Sequence, residues 1–143
     1  MKLYIAHPIT GLNGKDALEY FNTLKEKLSQ HHQILSPMTG KEYLINQQDL
    51  KASGYKTAIS NDHAIFQRDT WMVSQADIVL IDFTNAKSVS IGCCMELGIA
   101  AFLNKHTIVV MEKQNIHKHA FVLDAADIVF EELEDAYEYL IKF

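Results

Sequence analysis

The chain has 143 residues, 48% of them hydrophobic and 22% charged, with a formal net charge of −5. That size and balance suit one domain with a real core and exclude a disordered chain. The acidic balance and the lack of any basic run speak against a nucleic-acid polyanion as partner, though a small anionic ligand can still be bound by backbone N–H groups.

Taken in chain order, Lys2–Ala6 is a short β-rich run, and His7–Gly14 is a turn-rich loop holding Pro8, Gly11 and Gly14. Asp16–Gln30 carries Ala17, Leu18, Phe21, Leu24 and Leu28 at helical period. Gln33–Leu35 is a second short strand, and Thr39–Lys56 is expected to be irregular, lying over one end of the sheet. Ser60 or Asn61 can cap a helix running to about Gln75. Asp77–Phe83, "DIVLIDF", is the clearest strand, nearly continuous in apolar and β-branched residues as a strand covered on both faces should be. Ile91–Leu103 reads as a helix, His106–Met111 as a buried strand, Ile128–Phe130 as a last strand and Glu131–Ile141 as a final helix.

Strands alternating with helices predict a single α/β domain over residues 1–143. It should be a doubly wound parallel sheet of about five strands, flavodoxin-like or Rossmann-like. Ligands of such sheets sit beyond the carboxyl ends of the strands. That rule selects the loops His7–Gly14, Thr84–Gly92 and Glu112–His119.

No segment approaches the roughly 20 apolar residues of a membrane helix, and the first residues do not read as a signal peptide. Cys93 and Cys94 are adjacent and close no useful loop. A reducing, cytoplasmic setting is therefore expected, with no membrane partner.

The loop "TNAKSVSIG" feeds a helix, where Ser88, Ser90 and Gly92 could cradle a phosphate or a sugar hydroxyl. A plain capping loop is the commoner use of such residues. Glu96, one turn inside that helix, stands in the apolar surroundings of "CCMELGIA". Burying an unpaired carboxylate is costly, so it is either a solvent-facing residue or an oriented carboxylate serving as nucleophile toward a sugar carbon. Asp69 supplies a second carboxyl group, or else pairs with Arg68 on the surface; Asp82 is a weaker candidate and Asp77 reads as a strand-start residue. "GLNG" lacks the spacing of a dinucleotide fingerprint, so no cofactor is assigned. His31–His32 and His117-x-His119 have no partners at ligand spacing, so no metal is assigned. Trp71, Met72 and Val73 read as core.

Three segments together resemble the nucleoside 2-deoxyribosyltransferase family: "LYIAHPITG", "RDTWMVSQADIVLIDFT" and "SVSIGCCMELGIA". The resemblance implies that Glu96 attacks C1′ and forms a glycosyl-enzyme intermediate. It implies that Asp69 assists departure of the base, and that Tyr4 orients the nucleophile. The loop His7–Gly14, with His7, Pro8, Ile9, Thr10 and Gly11, would enclose the substrate. Ser90, six residues before Glu96, stands where the nucleoside transferases usually carry Asp. It resembles the branch that hydrolyses nucleoside 5′-monophosphates, in which this serine helps bind the phosphate. That branch often has an arginine in the first loop, and this chain has none there.

The expected activity is cleavage of the N-glycosidic bond of a (2′-deoxy)nucleoside 5′-monophosphate, with water resolving the intermediate. The alternatives are base exchange between nucleosides, a non-catalytic binding protein for a nucleotide derivative, and a glycohydrolase acting on a dinucleotide. A homo-oligomer with shared active sites is expected, with Asn115–Phe121 reaching the neighbour.

Overall fold

A computed structural model describes residues 1–143. Five strands form one parallel sheet in the order β2-β1-β3-β4-β5: β1 (Lys2–Ala6), β2 (Gln33–Leu35), β3 (Ile78–Asp82), β4 (His106–Val110) and β5 (Ile128–Phe130). This is the doubly wound, flavodoxin-like order, in which the winding reverses between β1 and β3. The helices are α1 (Gly14–Leu28), α2 (Asp62–Gln75), α3 (Ile91–Phe102), α4 (Ala120–Asp124) and α5 (Leu133–Lys142).

The alternation of side chains along each strand divides the core in two. Leu3, Ile5, Ile78, Leu80, Ile108 and Val110 face one layer with the apolar stripe of α1 (Ala17, Phe21, Leu24, Leu28) and with Ala136 and Leu140 of α5. Tyr4, Ala6, Val79, Ile81 and Val109 face the other with Met72 and Val73 of α2 and Cys93, Leu97 and Ala100 of α3. Tyr4 is therefore the single hydroxyl pointing from β1 toward the α2–α3 layer, where Glu96 also lies.

Caps place the helix ends. The Asn13 side chain accepts from the Asp16 N–H at 2.9 Å, and the Asn61 side chain accepts from Ala64 at 3.0 Å. Helix α1 begins at Gly14, two residues earlier than its apolar period suggests, because Asn13 is the cap. Gly14 also passes so close to the next segment that a Cβ there would lie 1.7 Å from the Leu44 carbonyl oxygen. Apart from one short 3₁₀ turn, Glu42–Leu44, the stretch Thr39–Lys56 is irregular and joins the site.

One expectation changes. Trp71 is not core: it is 59% exposed, while Met72 and Val73 beside it are buried. The segment Asn115–Phe121 is tied at its start to the rest of the chain, and Phe121 near its end is 82% exposed. Asn115 donates to the Phe83 carbonyl at 2.8 Å and to Glu112 at 2.6 Å, locking the loop after β4 to the loop after β3, and α4 starts at Ala120.

Candidate active site

A cavity of about 460 Å³ opens at the carboxyl ends of β1 and β3, where the winding reverses. Its wall combines the first loop (His7, Pro8, Ile9, Thr10), Lys41 and Leu50 from the irregular stretch, Asp69 from α2, and Ser88, Ser90, Gly92 and Glu96 from the start of α3. Residues far apart in the chain converge here because both crossovers deliver their loops to the same edge. The volume suits a nucleotide-sized molecule.

Glu96 is the centre of this arrangement. The Tyr4 hydroxyl donates to its Oε1 at 2.6 Å, a length typical of a charge-assisted bond. Burial raises the Glu96 carboxyl from its ordinary 4.5 to about 7. The Tyr4 bond and the Lys41 charge oppose that rise, while the charge of Asp69 adds to it. Near neutrality the carboxylate is thus poorly solvated, held by one donor and free at its other oxygen, which is the state a nucleophile toward carbon requires. Tyr4 itself, wholly buried, is pushed well above its ordinary 10.0 by burial and by Glu96, so it remains a donor.

Asp69 combines both readings of its sequence position. It is ion-paired with Arg68, through Nε and Nη2 at 3.2 Å each, yet only 8% exposed and on the cavity wall. Arg68 is fixed in turn by donating to the Pro37 carbonyl at 2.8 Å. Burial raises the Asp69 carboxyl despite the opposing charges of Lys41 and Arg68.

The start of α3 is partly committed. Ser90 caps the helix by accepting from Cys93 N–H at 3.4 Å, and its own N–H donates to His117 Nε2 at 2.8 Å. His117 stacks on Phe83 with centroids 3.9 Å apart. The Ser90 N–H is therefore already engaged within the protein. What remains are the Ser90 hydroxyl proton, Ser88, and the N–H groups of Ile91 and Gly92 in the first turn. Gly11 is not a wall residue. It turns the loop at φ +84° and donates its N–H to the Leu50 carbonyl at 2.9 Å, so it shapes the loop that encloses the cavity.

Asp82 is fully buried at the end of β3 and organises the first loop. It accepts from Tyr20 Oη at 2.5 Å, from Thr84 N–H at 2.8 Å and from Thr84 Oγ1 at 2.7 Å. His7 lies over Tyr20 with centroids 4.1 Å apart, its Nδ1 3.0 Å from the Asp82 carbonyl. Burial pushes the Asp82 carboxyl up, but the bonds from His7, Tyr20 and Thr84 outweigh it and hold the group below its ordinary 3.8. Asp77 has a structural post, accepting from the Lys2 N–H at 2.8 Å.

Lys41 is the site residue that sequence reasoning missed. It is 4% exposed and on the cavity wall, in a stretch with no period to read. The one available signal was a lysine four residues after Pro37, where β2 feeds the same edge of the sheet. No His, Cys, Asp or Glu cluster is placed to hold a metal ion, and no helix is long and apolar enough to cross a membrane.

Several solved structures share this fold. A 2-deoxyribosyltransferase from Bacillus psychrosaccharolyticus is 18% identical with TM-score 0.68, over 97% of this chain and 92% of that one. A 2-deoxyribosyltransferase from Leishmania mexicana is 19% identical with TM-score 0.67, over 99% and 97%. A CMP N-glycosidase from Clostridium botulinum is 10% identical with TM-score 0.60, over 98% and 97%. Among curated proteins none matches by sequence. The family model for nucleoside 2-deoxyribosyltransferases matches residues 3–135, nearly the whole chain, so this protein belongs to the nucleoside 2-deoxyribosyltransferase family of enzymes.

Proposed function

We propose that the protein hydrolyses the N-glycosidic bond of a (2′-deoxy)nucleoside 5′-monophosphate, with Glu96 as nucleophile. The observation that carries this reading is the Tyr4–Glu96 bond at the floor of a nucleotide-sized cavity, on a carboxyl group burial has raised to about 7. Glu96 attacks C1′ while the bond from C1′ to the base nitrogen breaks, its electron pair leaving with the base. Asp69, raised by burial, assists that departure. Water then attacks C1′ and releases Glu96 as a carboxylate, with the sugar 5-phosphate as second product.

The phosphate side of the reading rests on Ser90. An aspartate at this position would repel a phosphate dianion. The Ser90 hydroxyl, with the Gly92 N–H at the positive end of α3, favours it. The N-glycosidase among the structural neighbours acts, by its name, on a nucleoside monophosphate. Base exchange shares the first half-reaction and differs only in what resolves the intermediate.

The test is base release from matched nucleosides and 5′-monophosphates, with and without an added free base. Release from monophosphates alone, independent of added base, is expected. Release from nucleosides that requires an acceptor base would replace hydrolysis by transfer. An intact ligand after long incubation would replace both by a binding function.

We also propose that the chain acts as a homo-oligomer. Phe66 of α2 and Met95 of α3 line one surface pocket, and Trp71, Ile91, Phe102 and Phe121 are also exposed. So much exposed large apolar surface favours association. Light scattering after size exclusion should give a dimer or larger species, and Trp71→Glu should shift it toward monomer. A monomeric wild type at micromolar concentration would refute this.

A further inference from the structure

Lys41 holds a position the proposed chemistry has not yet used. Its residue is 4% exposed, which is rare for a lysine unless the charge is paired. No side chain or carbonyl of the protein accepts a hydrogen bond from its ammonium group, and no ion pair forms within 4.0 Å. The ammonium is not sealed in the interior either, because Lys41 lines the cavity that holds Glu96 and Asp69. Burial lowers its proton affinity, Asp69 opposes this more strongly than Glu96 does, and Arg68 adds to the lowering. Of the two carboxylates, Asp69 is the closer electrostatic partner.

Lys41, Asp69, Glu96, Ser88 and Ser90 line one cavity. On the glycosidase reading, C1′ at Glu96 and a phosphate at Ser88 and Ser90 leave the wall with Asp69 and Lys41 for the leaving base. A phosphate there would face both Asp69 and Glu96 at close range, whereas a neutral base with a carbonyl acceptor would not be repelled.

Resting on the glycosidase reading above, we propose that Lys41 recognises the leaving base as a pyrimidine, donating a hydrogen bond to the 2-keto oxygen beside the glycosidic nitrogen. As the bond from C1′ to N1 breaks, its electron pair passes to N1 and by conjugation to O2, while a Glu96 oxygen bonds to C1′. The Lys41 ammonium keeps its proton and meets the growing negative charge on O2, and solvent protonates the departed base. A donor aimed at charge that develops only in the transition state accelerates the chemical step more than it tightens binding. An enclosed ammonium is strongest in that role because little water competes for it.

The experiment compares wild type, Lys41→Met and Lys41→Gln on 2′-deoxyuridine 5′-monophosphate and on its 5-fluoro analogue, whose base is the better leaving group. Thermal unfolding of each variant verifies the fold. Removing an unpaired buried charge should leave stability unchanged or raised. For Lys41→Met, kcat on the uracil substrate should fall about 10- to 100-fold with KM within a factor of three, in line with loss of a hydrogen bond to a charged group. The loss on the 5-fluoro substrate should be several-fold smaller, and Lys41→Gln, which keeps a neutral donor, should lie between.

Equal losses on both substrates, as a structural role would give, would overturn the proposal, as would a change in KM alone. Wild-type cleavage restricted to purine monophosphates would overturn it and leave the glycosidase reading standing. Absence of base release from every monophosphate would remove the glycosidase reading, and this inference with it. Should Lys41→Met not fold, Lys41→Gln carries the same comparison.

Discussion

Two tyrosine–carboxylate pairs lie at the carboxyl edge of the sheet, and their chemistry diverges. Tyr4 donates to Glu96 at 2.6 Å and Tyr20 donates to Asp82 at 2.5 Å. Glu96 has that one donor, and burial raises it to about 7. Asp82 is fully buried but receives two bonds from Thr84 besides, with His7 against it, and stays below its ordinary 3.8. Depth alone therefore does not make a carboxylate reactive. The number of donors decides, since each donor stabilises the charged form and occupies an oxygen lone pair. Asp82 is saturated and shapes the loop beside the cavity, whereas Glu96 keeps one oxygen without a donor, as the proposed nucleophile needs.

Removing each carboxylate separates these roles. Glu96→Gln should lower turnover by at least ~10³-fold with the fold intact, as loss of a nucleophile does. A residual rate within tenfold of wild type would break the comparison at its functional end. Asp82→Ala should act on stability, leaving the Tyr20 and Thr84 donors unmatched at a cost of about 3 kcal/mol. Denaturant unfolding reads that loss directly, and an unchanged midpoint would contradict the organising role.

Trimming the donor should have a smaller effect. Tyr4→Phe removes the one bond that lowers the Glu96 proton affinity by direct contact. Turnover should fall about 10- to 100-fold, and the acid limb of the kcat/KM profile should move to higher pH than the wild-type limb near 7. A limb that stays in place, or moves down, would show that Tyr4 does not set the state of Glu96.

The smallest effect is on stability against pH. Glu96 has a folded value of about 7 above its ordinary 4.5, so the folded state holds the proton more tightly. Its contribution is fully present below about 4.5 and is lost as pH rises through about 7. Asp82 has the opposite sign: its contribution is present above 3.8 and lost as pH falls below it. Glu96→Gln should therefore melt a few °C above wild type at pH 8, and the difference should vanish toward pH 4.5. A variant that melts lower at pH 8 would mean that the Glu96 carboxylate is well solvated.

The same contrast marks how far the sequence could be read. The continuous apolar run around Leu80 and the helical period from Ala17 to Leu28 report burial directly, so the sheet and α1 were legible to within a few residues. Glu96 stood out because a carboxylate in apolar surroundings needs a reason, and Asp69 as a second carboxyl group one helix upstream of the central strand. The pairing of Tyr4 with Glu96 followed only from the family resemblance. Lys41 was hidden because the stretch Thr39–Lys56 has no regular elements, and an isolated lysine in such a stretch usually marks solvent. Trp71 was misread because an exposed apolar side chain on a surface helix leaves the same trace in sequence as a core one. The partner of the Ser90 N–H, His117, was not legible because it lies on a different loop brought close by the order of the strands.

The most direct test is the covalent intermediate. The protein should be mixed with a 2′-deoxynucleoside 5′-monophosphate, quenched in acid during turnover, and analysed by intact and peptide mass spectrometry. A 2-deoxyribose 5-phosphate adduct on the peptide containing Glu96, absent from Glu96→Gln, is the expected result. Base release at full rate with no adduct on Glu96, and unchanged in Glu96→Gln, would contradict the assignment of Glu96 as the nucleophile.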